Sequence, residues 1–482
     1  MTNIKNQILK LQTISENLEP SRDLRNKYLD SVRAFTHEFI GSLDNVVTFN
    51  TNAVNKEALG LNNEKKSIDK IVNLINDEVA KKGMKPASGG HLGYIPGGGI
   101  FTASLGDYLA DITNEYAGMY YASPGGVTIE NEVIDWMKTL FNFPKSSVGN
   151  LTSGGSIANL IALTAARDKH RIKNAVIEKS VIYTSEQIHH CVHKALRIIG
   201  LEDVQIRYIT LDSNSKIIPE VLEQQVIEDK GKGLNPFVVI ASAGTTDTGA
   251  IDPLEEIGNI AKRHGLWYHV DAAYGGFFVL VDSVKDKFKG LDMADSLVID
   301  PHKGLFLPYG LGAVLVKDKQ AVYHSNHYRA NYMQDAIKDN FPVNPADVSP
   351  ELTKHFRGLR LWLPLQLHGI EPFKACLEEK LLLTHYFRQE LQKIGFVLGP
   401  EPDLSVSYFW YPAENVDQNI FNERLMQAIH EDGEIFLSST LINGKFVIRM
   451  ALLSFRTRLD HIDRAVAMID RLRKAVEKEF NQ

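Results

Sequence analysis

Residues 266–276 read LWYHVDAAYGG, an apolar and aromatic run that closes on one carboxylate, Asp271, and then opens into small residues. A run this short and this continuously apolar has the character of a strand buried on both faces. Ligands of open parallel sheets sit beyond the carboxyl ends of the strands. Asp271 therefore stands where chemistry is done, and the alanines after it leave room for a flat ligand against the backbone. Runs of the same kind surround it: SVIYTS (180–185), VQIRYITL (204–211), PFVVIASA (236–243), DSLVIDP (295–301) and GAVLVKD (312–318). Helical spacings separate them, which implies an α/β domain with a mostly parallel sheet and helices on both faces.

Working outward, residues 1 to about 75 carry apolar positions at helical spacing, among them Ile8, Leu11, Ile14 and Leu18, and predict a helical N-terminal arm suited to packing on a partner subunit. The glycines of SGGHLGYIPGGG (88–99) predict a loop whose backbone can approach a ligand. A single helical stretch is expected from about Phe356 to Ile394. Beyond it LSVSYFWYP (404–412) and KFVIRMALL (445–453) alternate with helices in a smaller α+β domain. The expected units are 1–97 (arm and pocket loop), 98–370 (large domain) and 371–482 (small domain).

The chain has 482 residues, 44% of them hydrophobic and 23% charged, the mixture of a globular protein of two or three units. Its formal charge of −6 gives no electrostatic reason to expect nucleic acid or an anionic membrane as a partner. Only two cysteines, Cys191 and Cys376, are present, which suits a reducing compartment. No signal-peptide core and no apolar run near the ~20 residues of a membrane span is found. The expected location is the cytoplasm.

Three segments concentrate chemistry. Lys303, in DSLVIDPHKG, follows a strand and sits beside His302; a lysine at a sheet's carboxyl edge can form a Schiff base. In GNLTSGGSIANLIALTAARD (149–168), Gly155 and Ser156 open a helix whose free N–H groups and dipole attract phosphate. Phosphate cradle, strand-end aspartate and strand-end lysine together match what pyridoxal phosphate requires: its phosphate on the helix start, its pyridine nitrogen on the carboxylate, its aldehyde on the amine. His189, His190, Cys191 and His193 crowd together in YTSEQIHHCVHKAL. Neighbours point about 100° apart on a helix, so no metal is expected; one imidazole, His189, suits the cofactor's ring face. Thr245, in the turn after another strand, could touch the ring edge or phosphate.

These motifs, with TSGGSIAN, SEQIHH, GTTDTGAIDP, HVDAAYGG, DPHKG and FRGLRLWLPLQLHG in order, resemble the group II pyridoxal-phosphate-dependent amino acid decarboxylases, the aromatic amino acid, histidine and glutamate decarboxylase family. The resemblance runs from about residue 80 to 460. It implies the type I, aspartate-aminotransferase-like fold, a homodimer with active sites between subunits, and decarboxylation of an L-amino acid, aromatic or acidic, to its amine. By motif position it implies that Lys303 binds the cofactor, Asp271 pairs with the pyridine nitrogen and His189 stacks on the ring. Gly155, Ser156 and His302 then surround the phosphate, with Ala273 under the ring and Thr245 beside it. For the substrate, His91, Tyr94 and Arg449 are the candidates, Arg449 as a bidentate receptor for a carboxylate.

Two departures qualify the substrate and the outcome. The family's mobile loop usually carries a proton-donating tyrosine, yet residues 333–354 contain none. Either Tyr328, Tyr332, His324 or His327 donates the proton, or the reaction ends elsewhere, as in aldehyde synthesis; carbon–carbon lysis and transamination are the other rivals. Where family members often show His-Pro, this chain has His91-Leu92. A cofactor-binding regulator without turnover lacks a helix-turn-helix or basic stripe, and a nicotinamide site lacks its glycine fingerprint.

Overall fold

The computed structural model describes residues 2–326 and 342–481. Seven strands form one sheet: β1 (Val148–Thr152), β2 (Ser180–Thr184), β3 (Gln205–Tyr208), β4 (Asn235–Ser242), β5 (Trp267–Asp271), β6 (Ser296–Ile299) and β7 (Gly312–Val316), in the order β1-β7-β6-β5-β4-β2-β3. The pairs β6/β5, β5/β4, β4/β2 and β2/β3 are parallel. β7 runs antiparallel to both of its neighbours, β1 and β6.

Side chains alternate across this sheet. Val239 and Ala241 join one buried cluster, Val238 and Ile240 the other, so each strand needs apolar residues at every position and reads as a continuous run. β1 escaped the sequence reading because Gly149 and Asn150 interrupt its apolar character.

A second, four-stranded antiparallel sheet has the order β10-β11-β9-β8, formed by β8 (Val397–Leu398), β9 (Val406–Trp410), β10 (Ser438–Ile442) and β11 (Lys445–Ala451). Its core, with Phe409, Ile448 and Met450, also takes in Leu92 from the glycine-rich loop. The loop is stitched there by backbone bonds from Leu92 N–H to Phe436 C=O (2.9 Å) and from Ala451 N–H to Leu92 C=O (2.7 Å).

The single helix expected over 356–394 is two, Gly358–His368 and Glu371–Lys393. Gly369, at φ 65°, ends the first in the left-handed region that its missing Cβ permits, and Pro372 opens the second. The second helix spans both cores, burying Phe373 and Leu377 in the large one and Phe387 and Leu391 in the small one.

The N-terminal arm forms as helices Thr2–Ser15 and Arg22–Ser42, and neither buries a single described side chain. Ile8, Leu11, Ile14 and Leu18 stay open to solvent in this chain. Among the described residues, no helix is long and apolar enough to cross a membrane.

Candidate active site

Four loops leave the carboxyl ends of parallel strands of the large sheet and, with the start of the Gly155–Lys169 helix, enclose a cavity of about 360 Å³. Into it converge Gly155 and Ser156 from the helix start, His189 after β2, Thr245 after β4, Asp271 and Ala273 from β5, and His302 and Lys303 after β6. Every residue that the sequence assigned to the cofactor thus lines one space. A cleft of about 900 Å³ lies at the far end of that helix, around Arg167, Asp318 and His324, and contains none of them. His324 is therefore remote from the cavity. Tyr328, Tyr332 and His327 lie outside the described residues.

The helix start is shaped for an anion. Gly154 adopts φ 148°, a conformation closed to other residues, and no side chain caps the first turn. Its backbone donors and the positive end of the helix dipole therefore face the cavity uncompensated. Opposite, Asp271 accepts the Ala273 N–H at 3.1 Å through Oδ1 and the Asn159 amide at 3.2 Å through Oδ2.

Lys303 Nζ sits 3.0 Å from Asp300 Oδ2. Burial alone would lower the Lys303 pKa, but the carboxylates of Asp300 and Asp271 outweigh it, and the net shift is upward. His302 donates from Nδ1 to the Leu311 carbonyl at 2.6 Å, and burial pushes its pKa down. His189 accepts the Cys191 N–H on Nδ1 at 3.3 Å and is likewise lowered by burial. Thr245 is fixed in its turn by the Thr248 hydroxyl at 2.7 Å. His193 turns away to the Tyr208 hydroxyl, also at 2.7 Å, and among the described residues no three His, Cys, Asp or Glu side chains are arranged to hold a metal ion.

The sequence reading missed Asp300. Its side chain is buried, it lines the cavity, and its Oδ1 has no partner, as Gln187 Oε1 has none. The signal was present: like Asp271, it closes an apolar strand. An uncapped helix start for the phosphate, an amine for the aldehyde and a carboxylate to accept from the pyridine N–H are the groups that a phosphorylated aromatic aldehyde requires, so these residues fit pyridoxal phosphate.

The three substrate candidates lie outside this cavity's lining. His91 is buried with its ring stacked on Phe436 (5.2 Å, 7°), its Nδ1 unpartnered, and burial pushes its pKa to about 4. Tyr94 is half exposed, with φ 51°, its ring 5.4 Å from that of Phe436. Arg449 is not an open receptor for a carboxylate. Its guanidinium donates to the Asp247 carbonyl (3.1 Å), the Ser438 hydroxyl (3.1 Å) and the Thr246 carbonyl, tying β11 to the turn that carries Thr245.

Residues 55–411 match the family model described as the pyridoxal-dependent decarboxylase conserved domain. The chain is 32% identical to an aromatic-L-amino-acid decarboxylase of Bacillus atrophaeus, over 81% of this chain and 82% of that protein. It is 30% identical to a phenylacetaldehyde synthase of Arabidopsis thaliana, over 78% and 80%. The crystal structure of Oryza sativa TDC with PLP and tryptamine superposes with a TM-score of 0.89 at 22% identity, over 95% of this chain and 99% of that one, and so has the same fold.

Proposed function

Because this chain belongs to the pyridoxal-dependent decarboxylase family, we propose that its substrate is an L-amino acid with an aromatic side chain and that Lys303, Asp271 and His189 are the residues that work on it. The reaction class is that of the family: the chain is a carboxy-lyase that depends on pyridoxal phosphate, frees carbon dioxide from an amino acid and leaves the amine. The observation that carries the residue assignment is the convergence of Lys303, Asp271 and the uncapped helix start on one cavity.

When bound, pyridoxal phosphate supplies the electron sink for the pair left as carbon dioxide departs. Lys303 Nζ is the amine that would hold it through its aldehyde. Asp271 would accept from the pyridine N–H and so keep a proton on that nitrogen, and His189 would cover the ring and exclude water from it. Gly155, Ser156 and His302 would hold the phosphate, and Ala273 and Thr245 would contact the ring. Among the described residues, Lys303 is the only lysine or arginine that lines the cavity, and Arg449 is already engaged. A second carboxylate on the substrate would find no free counter-charge among the described lining residues, whereas Tyr94 and Tyr309, both half exposed, offer aromatic surface. His91 and Tyr94 are thus read as part of the approach to the cavity.

We read the chain as a cytoplasmic homodimer. Both cysteines are free, and apolar side chains stand exposed both on the arm and on helix Phe101–Thr113, there Phe101, Leu105, Tyr108 and Ile112, more than suits surfaces that face water alone. The three units remain those proposed from sequence, 1–97, 98–370 and 371–482.

A panel of aromatic, acidic and cationic L-amino acids, with carbon dioxide, amine, aldehyde and peroxide all measured, tests the substrate class. Aromatic substrates are expected to give carbon dioxide and amine; turnover confined to acidic or cationic ones overturns it. A second reading, conversion to the aldehyde, is favoured by the missing tyrosine between 333 and 354, and it predicts peroxide in step with carbon dioxide.

A further inference from the structure

Behind the cavity runs a line of buried polar side chains that the reaction as described leaves unused. Successive residues of β5 face opposite sides of the sheet, so Trp267, His269 and Asp271 stand in a row on one side. Ser296 is the neighbour of His269 on β6, and Asn159 comes from the first turns of the Gly155–Lys169 helix. Trp267 Nε1 donates to Ser296 Oγ at 2.8 Å, Ser296 Oγ meets His269 Nδ1 at 2.8 Å, His269 Nε2 meets Asn159 Oδ1 at 2.8 Å, and Asn159 Nδ2 donates to Asp271 Oδ2 at 3.2 Å. All five residues are buried, and Asn159, His269 and Ser296 are wholly so.

Chemistry fixes the direction of every bond. An indole only donates and a carboxylate only accepts. The Asn159 amide nitrogen faces two acceptors, Asp271 Oδ2 and the Gly155 carbonyl (2.9 Å), so its oxygen faces the imidazole and His269 must donate from Nε2. Nδ1 is then bare and takes the Ser296 hydroxyl proton, while the serine oxygen receives the indole N–H. Burial pushes the His269 pKa down to about 4, so at neutral pH the ring is uncharged and held as one tautomer. Four donations point the same way and end on Asp271, in surroundings dry enough to strengthen each of them.

We propose that Asn159 and His269, locked by Ser296 and Trp267, are positioning residues for Asp271: they fix its carboxylate from behind, so that its remaining lone pairs face the cavity and hold the proton on the cofactor's pyridine nitrogen. This rests on the reading of Asp271 as that nitrogen's partner. Asn159 lines the cavity beside Asp271 with its amide spent on Asp271, the Gly155 carbonyl and His269, and His269 does not line the cavity. Asn159 near the helix start and His269 mid-strand are polar groups inside apolar elements, and the relay supplies a reason for both.

The test is Asn159→Ala in holoenzyme loaded with pyridoxal phosphate carrying nitrogen-15 in its pyridine ring. The ring-nitrogen signal is expected to move from the protonated toward the unprotonated position. Turnover should fall about tenfold or more while KM stays within about twofold, as for the loss of a hydrogen bond to a charged group. Ser296→Ala removes one hydroxyl at the far end of the line and should move the signal the same way by less; it also serves if Asn159→Ala does not fold. His269→Gln keeps a donor and should retain part of the wild-type signal. A signal and a kcat that stay at wild-type values in folded Asn159→Ala, or in Ser296→Ala where that variant stands in, overturn the relay. Asp271→Asn, measured in parallel, separates the two readings. If it too leaves the signal unmoved, the assignment of Asp271 has failed; if it moves the signal and Asn159→Ala does not, the relay alone has.

Discussion

The cavity and its rim are built on different principles. Most residues around the cavity lie within a few positions of the end of a strand in one sheet, so each inherits the rigid geometry of that sheet. The rim is assembled from pieces far apart in the chain: the 88–99 loop, the small domain's Phe436 and Arg449, and Tyr309, with much apolar surface left uncovered. Strand ends make chemistry readable one motif at a time. The rim is readable only once its pieces have been brought together, by folding and, in the dimer proposed above, by a second copy.

The largest expected effect lies on the cavity side. Lys303→Ala should abolish the visible absorption of the cofactor-loaded protein and lower turnover by at least about a thousandfold, as loss of a covalent anchor does; an absorbance spectrum and a carbon dioxide assay read both. Survival of either would remove the distinction between an anchored cavity and an adaptable rim. Next in size is Arg449→Met. In the domain seam, its loss leaves the Thr246 and Asp247 carbonyls without their donors and should cost about 2–4 kcal/mol in urea unfolding, with KM little changed. A rise in KM with an unchanged unfolding midpoint would return Arg449 to the substrate and enlarge the cavity at the rim's expense.

That asymmetry explains what the sequence disclosed. Strands β2, β4, β5, β6 and β7 are buried on both faces, which forces unbroken apolar runs, and the carboxylate or lysine that breaks such a run is conspicuous. Asp300 closes its strand in the same manner as Asp271 but stands three residues before Lys303, and the lysine drew the reading. Asn159 was hidden because one amide in an apolar helix resembles an ordinary polar position until the fold sets it against Asp271. Arg449 was legible as a buried cation on a strand, yet its partners are carbonyls, which leave no mark in a sequence.

The rim also carries a pH signature. Burial holds His91 at a pKa of about 4 against an ordinary 6.5, so between those values the unfolded chain binds a proton that the folded chain refuses. Stability therefore declines as pH falls from about 6.5 toward 4, by up to about 3 kcal/mol from this group, and levels off below. His91→Phe keeps a ring against Phe436 and should flatten that part of the curve in urea titrations at pH 7, 5.5 and 4.5. An unchanged slope would mean that His91 is protonated in the folded protein. His269, with the same depression, adds a parallel decline from the cavity side, which His91→Phe leaves intact.

The smallest effect is also the finest probe of the cavity. Asp300 is 3.0 Å from the amine and leads the influences that raise the Lys303 pKa against burial. An ammonium cannot attack an aldehyde, so before the cofactor arrives Asp300 restrains the residue that must capture it. Asp300→Asn keeps the shape and removes the charge, and the sign follows: with one carboxylate fewer the Lys303 pKa falls, and more free amine is present at neutral pH. Cofactor-free protein carrying this change should acquire visible absorption several-fold faster at pH 7 than the wild type, with the advantage fading at high pH, where both amines are free. Equal rates across the pH range would show that Asp271 alone holds the ammonium, and that the second carboxylate serves whatever its unpartnered Oδ1 faces in the loaded enzyme.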